Sequence, residues 1–370
     1  MLRIITIVCT LCVSVFAFGA EADSTVVRKS LVSKGYEAFA DLFFGVDTVY
    51  VEPMHYKYQL RLSNSYSYEA YRITDNDGNS IRFDPKPSMK VGPYISWNIF
   101  SVGWTVDLLP HDGTKKRKQF DISFHTQPFS FDLFYRKSGD DYSIKNIAID
   151  GVDASKMEGS SFHGLESGVI GMNTYYIFNH RRFSYSSAFS RTRRQKISCG
   201  SPLAGIGFTQ HSLHIDWQDL DRIAKDKIGE GVADKINNGH RFEKVTYTDL
   251  SLNGGYAYNW VVARNLLVAA SLTVALSHKR SASESHNMLD VLGEAIDFSD
   301  FKFSDLTLDG TGRLGFVWNN DRWFAGANAT MHAYNYSRQN FYTNNIFGSV
   351  DIYAGFNFGA YRKYRKDKKK

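Results

Sequence analysis

The chain is poor in the residues that cross-link or ligate. Three cysteines occur in 370 residues, and Cys9 and Cys12 fall inside an apolar leader. Cys199 alone lies beyond it, so no internal disulfide and no cysteine metal cluster is expected. There is no phosphate loop, dinucleotide fingerprint, zinc spacing or nucleophile elbow, and no cofactor is indicated. Long apolar runs are missing as well. The greasiest stretch is interrupted by Arg264 and carries small or polar residues at every second position. A transmembrane helix needs roughly twenty mostly apolar residues. Nor is the body of the chain basic. The formal charge is +6, yet the leader holds Arg3 and the tail Arg362–Lys370 holds seven cations and one Asp, which leaves the rest near −1. A nucleic-acid binder with an evenly basic surface is excluded.

What the chain has is a leader followed by alternation. Residues 1–20 read as a signal peptide, with Arg3, an apolar core from Ile4 to Phe18 and small residues at Ala17, Gly19 and Ala20. Residues 21–46 carry Val27, Leu31, Ala38, Leu42 and Phe43 at loosely helical spacing, which predicts a short periplasmic amphipathic helix. Residues 47–361 repeat one pattern, about ten alternating residues and then a break. In Val245–Lys279, Leu250, Leu252, Tyr256, Tyr258 and Trp260 share one face, opposite Asp249, Ser251, Asn253, Ala257 and Asn259. After a turn at Val262–Asn265, Leu266, Val268, Ala270, Leu272, Val274 and Leu276 oppose Ala269, Ser271, Thr273, Ala275 and Ser277. The same parity sets Phe100, Val102, Trp104, Val106 and Leu108 outward, and likewise Leu306, Leu308, Leu314, Phe316 and Trp318. The closing strand sets Val350, Ile352, Ala354, Phe356 and Phe358 outward.

Tight turns near Asn98, Gln127, His180, Ala263 and Asn320 alternate with longer polar loops. Those loops are Thr74–Asn79, Pro110–Lys118, Ser138–Gly164, Leu220–Lys244, Arg280–Asp300 and Ser337–Tyr342. Aromatics gather beside the tight turns: Trp97 and Phe100, Tyr176 and Phe183, Tyr258 and Trp260, Trp318 and Trp323. A soluble sandwich also alternates, but it has no reason to sort its turns into two length classes with aromatics at the short ones. Short periplasmic turns, long outer loops and aromatic girdles are the outer-membrane arrangement. The expected fold is therefore all-β, a transmembrane antiparallel up-and-down β-barrel of about twelve strands with a short N-terminal helix. Residues 47–361 would form the barrel and 362–370 a basic periplasmic tail, a solvated end or a handle for an acidic surface.

One segment resists. The Asn179-His180-Arg181 turn reads as a β-hairpin, which would start a strand near Phe183. The chain from there to Leu220 is about three times longer than one strand needs. Phe183, Tyr185 and Phe189 would share a face with Arg191 and Arg193, and charge on the lipid face costs roughly 2–4 kcal/mol at mid-bilayer. A bulge or a rise beyond the membrane is expected, with Gly200-Ser201-Pro202 as a kink; a true turn there would raise the count to about fourteen.

The run Phe178–Phe208 resembles an uncharacterised family of bacterial outer-membrane β-barrels, domain of unknown function 4421. Asn179, Phe183-Ser184-Tyr185, Ala188-Phe189, Gln195 and Gly200-Ser201 carry the likeness, with Asp47-Thr48-Val49-Tyr50-Val51 and Gly255-Tyr256-Ala257-Tyr258. Cys199 stands where a small residue is expected. The resemblance implies an envelope location and a barrel, and supplies no catalytic residues.

Chemistry would sit on the inward face. Lys57, Arg61, Lys90, Asp107, Asp121, His125, Asp132, Arg136, Asp249, Asp305, Asp309, Arg313, His332 and Asp351 are expected to line the lumen. Mixed signs suggest paired charges and ordered water, or else a narrow path for small polar solutes. Asp107, Asp121 and Asp132 on successive strands could gather a cation such as calcium. The alternative is a rim hydrolase, for which His214 and Asp216 are the best local pair. His163 with Ser167, and Ser277-His278, are weaker rim candidates. Asp75–Asn79 reads as an ordinary hairpin loop. Asp219–Ile236 looks helical, by default a solvated loop helix, and could cap the outer mouth or bind a partner. The expected function is a non-enzymatic barrel, either a narrow channel or an envelope structural protein; the alternatives are the rim hydrolase and a surface binding protein acting through Ser138–Gly164 and Leu220–Lys244. The expected partners are membrane lipid and small polar solutes, with no nucleic acid, around a monomer.

Overall fold

The structure is a computed structural model. It describes residues 45–361 except 76, 98–99, 110–116, 190–192, 231–243, 282–305 and 339–340. The expected signal peptide, N-terminal helix and basic tail, and Asp305, lie outside the described residues.

The strands are β1 (Val51–Pro53), β2 (Tyr56–Asp75), β3 (Ser80–Pro85), β4 (Ser88–Trp97), β5 (Phe100–Gly103), β6 (Val106–Asp107), β7 (Lys118–His125), β8 (Phe129–Lys137) and β9 (Tyr142–Ala148). They continue with β10 (Ser161–Phe162), β11 (Leu165–Ile177), β12 (Arg193–Gln195), β13 (Cys199–Ile215), β14 (Lys244–Ala263), β15 (Leu266–Ser281), β16 (Leu306–Asn319), β17 (Trp323–Arg338) and β18 (Phe341–Ala360). Two short helices interrupt them, α1 (Tyr185–Phe189) and α2 (Trp217–Lys227). One sheet takes sixteen strands. Its wall runs β7, β8, β11, β13, β14, β15, β16, β17, β18, β2, β4, and then the short β5 and β6, which both pair with β4. Every pairing is antiparallel.

The wall wears its grease outside. Leu272 is 63% exposed and Ile352 is 61%, whereas their chain neighbours Ser271 and Tyr353 are buried at 6% and 3%. Leu252, Tyr256, Val274, Leu314 and Phe316 join the exposed set, and Asn253, Asn259, Thr273 and Asn357 the buried one. Period-two geometry delivers one side chain in two to each face. A water-soluble sheet would bury the apolar set; this one buries the polar set. The sheet also curls until distant strands meet across its concave face. Arg313 of β16 reaches Asp132 of β8, and the His211 ring of β13 lies 5.0 Å from the Tyr334 ring of β17.

Tight turns close one end of the wall. Thr126 and Phe129 exchange backbone and side-chain hydrogen bonds around the β7–β8 turn. Between β16 and β17, Asp321 takes a left-handed φ of 78°, a conformation Asp tolerates, and donates its N–H to Asn319 Oδ1.

The resisting segment departs from the sequence expectation. No strand starts at Phe183. After β11 the chain turns inward at Asn179 and forms α1 and then β12, which pairs with β1 in a separate two-stranded sheet. Phe183 and Tyr185 pack with Ile177, Leu203 and Ala257, and Ala188 with Leu267, Ala269 and Val317. The physical reason is the one that made it anomalous: an aromatic segment carrying arginines fits neither lipid nor a tight turn, but it can fill the lumen. β13 then runs unbroken through Gly200-Ser201-Pro202, so there is no turn and no extra hairpin. Pro202 is accommodated because β11 ends opposite Leu203. On that flank the Phe178 N–H still reaches the Pro202 carbonyl at 3.3 Å, and the N–H that proline lacks would face the end of β11, where it costs no ladder hydrogen bond.

The opposite end is covered too. Ser138–Gly164, expected as a loop, contains β9, a 3-10 turn at Ser155–Met157 and β10. Thr74–Asn79 and Ser337–Tyr342, expected as longer loops, are instead tight hairpin connections: Thr74 stands opposite Ser80, and Arg338 opposite Phe341. Together with α2, β3 and the Ser138–Gly164 pieces bury Ile81, Phe83, Ile144, Met157, Phe162 and Leu220 in one cluster. The expected helix begins at Trp217 rather than Asp219, with Asp216 as its N-cap.

Candidate functional site

The concave face of the wall is built in tiers, each held by residues that alternation points inward. At the tight-turn end sits the plug. Asn259 on β14 donates to the Ser184 carbonyl at 2.9 Å and to Gln195 Oε1 at 3.2 Å. Gln195 Nε2 donates to the carbonyls of Arg182 and Ile197, so one buried amide ties both arms of the plug together. Tyr185 donates its hydroxyl to Ser271 Oγ on β15 at 3.2 Å, and its ring packs against His125.

Above the plug, Arg313 donates to Asp132 Oδ2 at 2.6 Å, both side chains about nine-tenths buried. The Arg313 guanidinium also lies over the Tyr185 ring. His332 meets Thr311 Oγ1 at 3.0 Å and stacks on Tyr334. Arg136 lies 6.0 Å over the ring of Phe347, across the lumen on β18. Higher still, Lys279 lies 2.8 Å from Asp309 and 3.5 Å from Asp249, and donates to the Asn335 carbonyl. All three charged side chains are almost fully buried, and Ser277 Oγ completes Asp309 at 2.8 Å.

Along β2 and β4, Arg61 stacks on Tyr94 at 4.3 Å and on Tyr353 at 5.7 Å. Ser65 donates to Asp351. Lys90 stands opposite Asp107 in register, and Asp107 accepts from Ser88 Oγ at 2.6 Å. Lys57 is exposed beside the Tyr361 ring, at the rim rather than within the lumen.

These placements separate the sequence candidates. Asp132 and Arg313 are brought together, as are Asp249 and Asp309. Asp107 and Asp132 each have other partners, and only the backbone position of Asp121 on β7 is described. Among the described residues no cluster of three His, Cys, Asp or Glu side chains could hold a metal. His214 and Asp216 are not joined by a hydrogen bond. His214 Nδ1 has no hydrogen-bond partner, and the Asp216 carboxylate accepts from the N–H groups of Gln218 and Asp219. Near the covered mouth, His163 meets the Asp140 carbonyl at 2.9 Å. Burial within the cap pushes the Tyr142 phenol well above its usual range.

Residues 45–358 match the family described as Domain of unknown function (DUF4421). The chain belongs to that family. None of the curated proteins matches it. Similar solved structures include outer membrane protease OmpT from Escherichia coli, at 8% identity over 83% of this chain and 98% of that one, TM-score 0.35. Others are the translocator domain of autotransporter NalP from Neisseria meningitidis (10% identity, 89% and 95% covered, TM-score 0.30) and the toluene transporter TodX from P. putida (7%, 82% and 91%, TM-score 0.25). The activities in those names belong to those proteins. The apolar exterior and polar interior of this DUF4421 chain are those of a bacterial outer-membrane protein.

The sequence reading of this DUF4421 member missed the central cation of the upper tier. Lys279 lies one alternation step beyond Ser277, so parity alone points it inward; placing the loop at Arg280 drew attention away from it. His211 was missed likewise, although it shares the parity of Leu213 and Ile215. Tyr185 carried no usable signal, because nothing local says that a segment folds into a lumen.

Proposed function

We propose that this chain closes into an outer-membrane β-barrel of about twelve strands that serves the envelope structurally and is sealed at rest. Closure would join β7 to the short β5 and β6, counted as one interrupted strand. The barrel would act as a monomer. The observation that carries the reading is the Arg313–Asp132 bridge, which ties opposite sides of the lumen at 2.6 Å. Plug and cap support it from either end. A structural role also agrees with Asp216 being committed to capping α2, which leaves His214 without the carboxylate a rim hydrolase would use.

A second reading, a narrow channel for small polar solutes, is favoured by one feature: the plug meets the wall partly through single side chains such as Tyr185 and Asn259. Planar-bilayer recording tests both. The intact protein is expected to be electrically silent, and steady conductance would count against the sealed barrel. Tyr185→Ala with Asn259→Ala should remain silent if plug and bridge seal independently. Discrete conductance in that variant alone would transfer the assignment to a gated channel.

A further inference from the structure

Lys118 on β7 and Lys137 on β8 stand directly opposite each other in the antiparallel register. Both are exposed. On β8, Ser130, Asp132 and Phe134 are buried toward the lumen, so Lys137 belongs to the other parity, with Leu133 and Tyr135 on the lipid side. Lys118, its cross-strand partner, shares that face. The pair therefore tops the apolar band at the long-loop end of the wall, the outer-leaflet side.

Directly opposed like charges destabilise a sheet, and nothing described offsets these two: neither ammonium has a hydrogen bond, ion pair or ring contact with any described residue. Their backbones are nonetheless fixed. Arg117, just before Lys118, grips Asp141 with Nε at 3.2 Å and Nη2 at 2.9 Å. Ser138, just after Lys137, gives its N–H to the Ser167 carbonyl and accepts from the Ser167 N–H, both at 2.8 Å. On the far flank of Lys137 the opposing residue is Gly168. The hydroxyl of Ser212, its partner on β13, lies within 2.7 Å of where a Cβ would stand, so only a small polar group flanks Lys137 on that side. Two fixed cations that no described residue offsets, flanked by a small hydroxyl at the depth of the headgroups, form an anion site facing the bilayer.

We propose that Lys118 and Lys137 bind the phosphate of an anionic outer-leaflet lipid, whose chains lie along the apolar band below. The test uses the full-length protein folded in phosphatidylcholine vesicles doped with diphosphoryl lipid A, with lipid retention read by native mass spectrometry. Lys118→Gln should weaken retention about fivefold and the double Lys→Gln variant roughly twentyfold, from about 1 kcal/mol per basic residue near an anionic surface. Lys118→Arg with Lys137→Arg should retain the lipid, and Lys145→Gln, an exposed cap lysine, should change nothing. Heat-modifiable gel mobility verifies that each variant has folded. Equal retention by a folded double Lys→Gln variant would overturn the proposal. So would inorganic phosphate displacing lipid A at equal concentration, since the site would then hold a free anion rather than a lipid.

Discussion

Asp132 and Arg313 are separated by 181 positions in sequence and 2.6 Å in space. Removing one of them strands the other charge in a buried place. Asp132→Ala should therefore cost about 3–5 kcal/mol, while Asp132→Leu combined with Arg313→Met should come close to neutral. Urea titration of the vesicle-folded protein measures both; a small loss for the single variant would show that water, rather than Asp132, neutralises Arg313. Parity in the sequence already puts Asp132, Asp249, Asp309 and Arg313 on the inner face. It does not say which of them meet. Alternation reports the face of a strand and is silent on what faces it across the lumen, so Lys279 between Asp249 and Asp309 emerges only once three strands are laid side by side.

Among the elements, α2 shows how a short motif can be read two ways. His214-Ile215-Asp216 has the spacing of a rim pair, yet Asp216 is also an acidic residue just before a helical stretch, which is the signature of an N-cap. The cap prevails because β13 ends at Ile215, after which strand parity no longer governs. Asp216→Ala should cost about 1 kcal/mol and speed amide exchange in the first turn of α2, whereas Asp216→Asn should largely preserve both. Exchange unaltered in the alanine variant would remove the capping role. The plug teaches the converse lesson. Excess length and a clash of faces marked Phe183–Ser198 as unable to be a plain strand, but local chemistry offered bulges and kinks before it offered a lumen.

For the whole molecule the decisive quantity is which face meets lipid. Leu272→Arg should cost about 2–4 kcal/mol in folding into vesicles, because the charge enters the apolar band. Ser271→Ala, one residue away on the inner face, should lose only the hydrogen bond from Tyr185, about 1 kcal/mol. Equal costs at the two positions would contradict the inside-out wall. The antiparallel wall, its facing and the tight turns at one end could be read from sequence alone, because they rest on a period of two and on turn chemistry, both local. The packing of the Phe183–Ala188 segment on the concave face, the Arg313–Asp132 bridge and the cluster at the loop end were decided by tertiary structure. They join residues whose order along the chain carries no record of the curvature that brings them into contact.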